Sequence, residues 1–341
     1  MKKILLTFVM CLCTISIFAA DLYVNGSGLP TTYANLQLAI DAASDGDNIY
    51  MSSTETHNGP VTVDKSVYII SDQAGLKFQL VGDIIVGNNI EQVTIIGANG
   101  ISVSSQNNAG SRVHVNLISS SISGLNISHN NYKVNIYDCF VGGTATFRNG
   151  VVIGSELSNI SIQNESSVEV DTIKLIANEF EYLSCATQIH NIEIKNNFVN
   201  KLDTENMSGI YFSSIPSSAT KYAIIANNTI EYYNNMGIYS QGLNFSGIYF
   251  NSTPSSFSGL TIVNNYIKNN NSYSTHTSAQ TSSSTSNDGQ AIHISSTFPN
   301  VYIANNKWYY GYQTNICYYT SNHYLADNTN TNCGFSTSNG N

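Results

Sequence analysis

The carboxylates of this sequence are few, so the pairs that could do acid–base chemistry can be ranked by spacing. Glu181 and Glu231 each lie eight residues after the start of a recurring strand phrase, with Asn200 and Lys268 at the same position in other copies. Stacked strands lie about 4.8 Å apart, so two coils separate the backbones of such a pair by roughly 9–10 Å. That suits the ~6.5–9.5 Å carboxyl separation of an inverting glycosidase, in which one carboxyl protonates the leaving group and the other activates water. The competing interpretation is two carboxylates on a solvated edge. Lys174 and Glu193 fall in register as an outer-face ion pair of small value. Glu165, Glu169 and Asp171 form an acidic patch without a basic partner. The seven histidines show no HxH or HExxH spacing, and no CxxC pair or zinc-type Cys/His cluster occurs, so no metal site is expected.

A second chemistry is recognition by flat rings. "KWYYGYQTNICYYTSNHYL" at 307–325 contains the only Trp and several tyrosines, among them Trp308, Tyr309, Tyr310 and Tyr312. Such rings either stack on sugar faces from a rigid surface or close off the last apolar layer of the fold. "NNNSYSTHTSAQTSSSTSNDG" at 269–289 is nearly free of apolar residues and reads as a long loop between two repeat copies.

The elements that must position these groups are repeats. The phrase apolar, any, apolar, any, Asn, Asn, any, apolar recurs as "IEIKNNFV" at 192, "AIIANNTI" at 223, "LTIVNNYI" at 260 and "VYIANNKW" at 301. Weaker copies start at 173 and 134, and "VVIGSELS" at 151 has the place of another coil. Alternation with period two is the mark of a strand with one buried face. The Asn pair then makes a sharp corner, because Asn tolerates left-handed backbone. Fixed strand phrases at irregular spacing describe a solenoid whose strands stack while its turns vary in length. In this register the first Asn of each pair, Asn196, Asn227, Asn264 and Asn305, forms a column expected to face inward as a hydrogen-bonded ladder. Asp138 and Ala177 hold its place in the weaker copies. Near the start, Leu36, Ala39, Ile40 and Ala43 share helical spacing. Thr32 is the expected cap and Gly46 the expected stop, which puts a short amphipathic helix over the open end of the first coil.

The chain divides into a Sec-type signal peptide at 1–20, an N-terminal cap at 21–50, a solenoid at 51–310 and a C-terminal cap and tail at 311–341. Two cuts fit the small residues that end the signal, after Ala19 or after Ala20. They leave bulky Ile17 or Phe18 three residues before the cut. Without Lys2 and Lys3 the chain has 11 basic against 22 acidic residues, a net charge near −11. That charge argues against nucleic acid or an anionic membrane as partner. Only 10% of residues are charged, against about 25% on average. The polar surface is therefore built of Asn, Ser, Thr and Tyr. In an exported chain Cys317 and Cys333, in one tail, are the expected disulfide. Cys139 and Cys185 read as small buried residues. The mature chain is expected to be a monomer with no transmembrane span.

"YANLQLAIDAASDGDNIYM" at 33–51 and "VTVDKSVYIIS" at 61–71 resemble the entry segment of proteins of the pectate-lyase-like superfamily, and "GIYF…NN.I" resembles their coil repeat. The resemblance implies an all-β fold, a single-chain right-handed parallel β-helix (β-solenoid) with a short N-terminal capping helix. It does not fix an activity, because the fold carries lyases, hydrolases, esterases and adhesins. A lyase needs a base, often Lys or Arg, for which Arg112 is the candidate. It often uses Ca²⁺ as well, yet no Asp cluster at strand spacing suggests an oxygen-rich cage, so no cofactor is expected. "SNDGQAIHISS" at 286–296 is faintly similar to a phrase of polygalacturonase-like hydrolases, which makes Asp288 a further candidate; the second acidic phrase has no counterpart in "YYGYQTNI". The function expected is a secreted or cell-surface scaffold, non-catalytic, adhesin-like or glycan-contacting. The alternative is a polysaccharide lyase or glycoside hydrolase.

Overall fold

The computed structural model describes residues 19–25, 32–163, 172–186, 191–201, 209–214, 222–232, 246–250, 259–269, 290–298, 301–309, 317–320, 323–326 and 329–330. Within these the chain is an all-β parallel β-helix. A first face of 14 parallel strands runs the length of the molecule, from Thr32–Tyr33 at one edge through Asp21–Val24 to His323–Ala326. A second and a third face complete each coil. In the first coils they are separate short strands, such as Thr56–Asn58 and Val61–Val63. From Ala98–Ser105 to Glu179–Ala186 one strand bends through the corner and serves both faces. From Phe198–Lys201 onward the two faces separate again, with longer segments between them.

Alternation fixes which side chains enter the core. On the first face Ile49, Ile69, Ile95, Leu117, Ile136, Val152, Leu175, Ile194, Ile225, Ile262 and Ile303 stand in one register column. All of them are fully buried. Each such aliphatic side chain contributes about 2 kcal/mol by leaving water. On the third face Phe212 and Phe250 are also fully buried, and their rings stack with centroids 4.3 Å apart. Ile248 joins them in the core. The parallel stack, not sequence proximity, makes nearly every contact between elements.

The corner between the first and second faces holds two columns side by side. Gly97, Ser119, Asp138, Gly154, Ala177, Asn196, Asn227, Asn264 and Asn305 all have φ between 47° and 70°. These are left-handed positions, which favour Gly and Asn. The next residue in each coil is buried and bonded to the coils around it. Here the expected ladder is corrected. Asn196, Asn227, Asn264 and Asn305 are the exposed turn residues. The ladder consists of Asn178, Asn197, Asn228, Asn265 and Asn306, each at most 3% exposed. The backbone N–H of each of the first four donates to the next amide oxygen at 2.9–3.0 Å. Its Nδ2 donates to the same oxygen and to a carbonyl of the coil before, as Asn228 does to Asn265 Oδ1 and Ile194 O. The left-handed residue reverses the chain direction, so the residue after it, not the residue itself, points into the core.

At the N-terminal end a short helix, Leu36–Ala42, lies over the first coil with Leu36, Ala39 and Ile40 buried. Its cap is Asn35, whose side chain accepts from the Leu38 N–H. The expected cap Thr32 lies instead in the edge strand. Ala43 ends the helix, three residues before Gly46 turns the chain at φ +94°. None of the described helices is long and apolar enough to cross a membrane.

Candidate functional site

The third face differs from the other two in what it shows to solvent. Its outward register column runs Ser104, Asn126, Thr146, Ser161, Ser184 and Tyr211, and Tyr249, His293 and Cys317 continue the same register. Beside it, at the bend, stand Thr144, Asn159 and Tyr182 in successive strands. From Ser104 to Tyr211 every outward residue of this column is a neutral hydrogen bonder, and each is exposed or half-buried. The alternation that buries Ile210 and Phe212 sets Tyr211 between them on the outside.

Tyr182 and Tyr211 lie close enough to influence each other. Burial pushes the Tyr182 phenol up; its hydrogen bond with Ser184 works against that, and Tyr211 adds to it. Tyr182 therefore stays protonated at neutral pH, a donor with an apolar ring. Together the face offers rows of hydroxyls and amides about 4.8 Å apart that end in tyrosines. Such a surface can hydrogen-bond a neutral polyol and stack on its apolar face. The chain leaves the second face at Lys201, Tyr232, Asn269 and Tyr309 and enters the third near Gly209, Ser246, Gln290 and Cys317. The sequence between these points, including 270–289, thus attaches along one edge of this face.

Asp83, exposed at the start of Asp83–Val86, is a charge on this face in the first coils; from Ser104 to Tyr211 the charged strand residues lie on the other faces. The second face carries Glu156 paired in register with Glu179, both exposed, and Glu181 two residues on. Phe180 pairs with Val199, and Asn200 with Glu231, so Glu181 and Glu231 belong to strands two coils apart. The Glu231 carboxylate lies 3.5 Å from Lys268 Nζ, its neighbour in the next strand. On the first face Glu193 sits 2.9 Å from Lys195 and 3.6 Å from Lys174. Burial raises the Glu193 carboxyl, but the hydrogen bond and charge of Lys195, then Lys174, outweigh it and hold the group below its usual value.

The remaining sequence candidates scatter. Arg112 directly precedes the first-face strand Val113–Ile118, at another corner and several coils from Glu181. Tyr309 pairs in register with Lys268, and through it with Glu231 and Asn200. Trp308 instead falls in register with Val199, Ile230 and Ile267, a position those residues fill with buried side chains. Cys317 pairs in register with His293, while Asp288, Tyr310, Tyr312, Cys333, the signal segment 1–18 and the 165–171 acidic patch lie outside the described residues. Cys139 and Cys185 are buried and not joined in a disulfide. No group of three or more His, Cys, Asp or Glu positioned to hold a metal occurs among the described residues.

Sequence reasoning missed Tyr182, Ser184 and Tyr211 as a surface. The signal was present in the two "GIYF" phrases, whose alternation leaves one Tyr outside for every Ile and Phe inside. No protein-family model matches the chain, and no curated protein is similar to it.

Proposed function

We propose that this protein is an exported or cell-surface β-helix that binds a neutral glycan along the outer surface of its third face, without chemistry of its own. The observation that carries this is the uncharged outward column Ser104 to Tyr211, set against charged residues on the two other faces. Neutral hydroxyl and amide groups on a rigid sheet match a neutral sugar chain, and the tyrosines supply the apolar contact. The same fold and entry phrases support kinship with the pectate-lyase-like superfamily. The second reading, a polysaccharide lyase or hydrolase, draws on the Glu156, Glu179 and Glu181 carboxylates at the neighbouring face.

The deciding experiment is glycan-array binding run beside a product assay on neutral and acidic polysaccharides. Binding of neutral glycans without turnover, weakened about tenfold or more by Tyr211→Ala, is the expected result. Turnover of any polysaccharide, lost in Glu181→Gln, would replace it with the enzymatic reading.

A further inference from the structure

Asp47 is a buried carboxylate, 5% exposed, directly before Asn48–Met51, the third strand of the solenoid's first face. Its Oδ2 accepts the Ser44 N–H at 2.8 Å. Its Oδ1 accepts the backbone N–H of Ala20 at 2.6 Å. No Lys or Arg among the described residues pairs with it. The nearby Lys65 donates instead to the Asp41 and Ala43 carbonyls, at 2.8 and 2.6 Å. Buried charges are normally paired, because desolvating a lone carboxylate is costly. Asp47 therefore has hydrogen bonds but lacks a cation.

Ala20 is also the residue that one of the two candidate signal cuts would expose. We infer that the leader is removed between Ala19 and Ala20, and that the new α-ammonium of Ala20 is the cation that Asp47 holds. The step is hydrolysis by a leader-removing peptidase. Water adds to the Ala19 carbonyl carbon and the C–N bond breaks. Ala19 leaves as a carboxylate, and the Ala20 nitrogen takes up protons to become –NH₃⁺. One donor aimed at Oδ1 becomes a charged group with three. The rest of the junction is already shaped for this end. The Asn48 N–H donates to Ala20 O at 2.9 Å, and Asn48 Nδ2 donates to Asp21 Oδ1 at 2.9 Å. A cut after Ala20 would remove both the Asp47 and the Asn48 bonds to that residue and leave Oδ1 buried without its donor.

This inference rests on residues 1–20 being a cleaved leader, which is independent of the glycan reading. The test is intact mass and N-terminal sequencing of the full chain expressed in an exporting host. Ala20 as first residue is the expected result. Asp21 as first residue overturns the inference while keeping the leader, and an exported chain that retains residues 1–19 overturns both. A second measurement reads the ion pair directly, by comparing thermal unfolding of the chain beginning at Ala20 with a free or an acetylated α-amine. Acetylation should lower Tm by roughly 2 °C in the wild type and leave Asp47→Asn unchanged. Equal Tm for the free and acetylated wild-type chains removes the ammonium–carboxylate pair.

Discussion

The two halves of the solenoid solve the same corner in different ways. Toward the N-terminus the buried column holds Ala98, Ser120, Cys139 and Ser155; toward the C-terminus it holds five asparagines. Ser120 Oγ accepts from the Ala98 N–H and donates back to Ile118 O in its own coil. Cys139 and Ser155 do the same with Tyr137 O and Ile153 O. A hydroxyl or thiol thus makes one bond to the coil before and one within its own coil. Each Asn amide in the C-terminal column bonds across coils with both its ends. The sequence step between successive members is 19 and 16 residues among Ser120, Cys139 and Ser155, and 31, 37 and 41 in the last three Asn steps. The Asn bonds nonetheless stay at 2.9–3.0 Å. Lengthening a coil from 16 to 41 residues costs only about 1 kcal/mol in closure entropy. The amide's extra cross-coil bonds can offset that. The first Asn step, Asn178 to Asn197, is only 19 residues, so Asn takes over before the coils lengthen and then holds every long one.

The largest test of this contrast is Asn228→Leu. It removes the acceptor for the Asn197 N–H and Nδ2 and the donor to Ile194 O, all buried. Asn197 Nδ2 keeps its bond to Leu175 O, which leaves two groups at about 1–3 kcal/mol apiece, so a loss of roughly 2–6 kcal/mol is expected in chemical denaturation. Ser155→Ala, in the other half, should cost about 1–3 kcal/mol. Equal losses would erase the difference between the halves.

Next comes the neighbouring column. Asn227 is exposed at φ 58°, so Asn227→Gly should be close to neutral, while Asn227→Val should cost about 1–2 kcal/mol of left-handed strain. If Asn227→Val destabilises more than Asn228→Leu, the two columns have been assigned the wrong way round.

Smaller still is Cys139→Ser, which turns a thiol rung into a hydroxyl one and should shift stability by less than about 1 kcal/mol. Burial pushes the Cys139 thiol up, against the lowering effect of its bonds with Ser120 and Tyr137. In native protein it should therefore resist alkylation that proceeds at once in denaturant. Fast labelling of the folded chain would show that the corner opens.

The smallest effect is expected on the first face. Glu193→Gln should cost about 0.5 kcal/mol near neutral pH, since half-exposed ion pairs are worth little. The folded carboxyl is held below its unfolded value. Its contribution is therefore full above about pH 4.3 and fades as pH falls through the folded value. The gap between wild type and Glu193→Gln should close in acid; a gap that widens there would mean Lys174 and Lys195 do not stabilise the carboxylate.

Much of this architecture was legible in the chain. Alternation at Ile192 and Ile194, and the Asn pair behind them, specify a strand that ends in a corner. The register of Glu193 on Lys174 follows from aligning the repeats, as does the two-coil separation of Glu181 and Glu231. Even the column of Asp138, Ala177, Asn196 and its successors was found, although its role was misread. Two adjacent asparagines look alike in sequence. The weaker copies held the clue, since Ala177–Asn178 keeps Asn only at the second place and Gly154–Ser155 puts Gly at the first.

The candidate face was legible only in fragments. Tyr211 could be placed outside from "GIYF" alone, but Ser161, Ser184 and Tyr182 join it only when coils stack, because residues many positions apart become neighbours at one strand spacing.

Taken by itself, the sequence determined the strand phrases, the corner and the direction of each aliphatic side chain, because period-two alternation is a local property of an extended backbone. Only the tertiary structure decided which Asn turns inward, because that depends on the left-handed φ of the residue before it. It also decided that Asp47 meets Ala20, since stacking Asp21–Val24 on Asn48–Met51 brings together groups 27 residues apart.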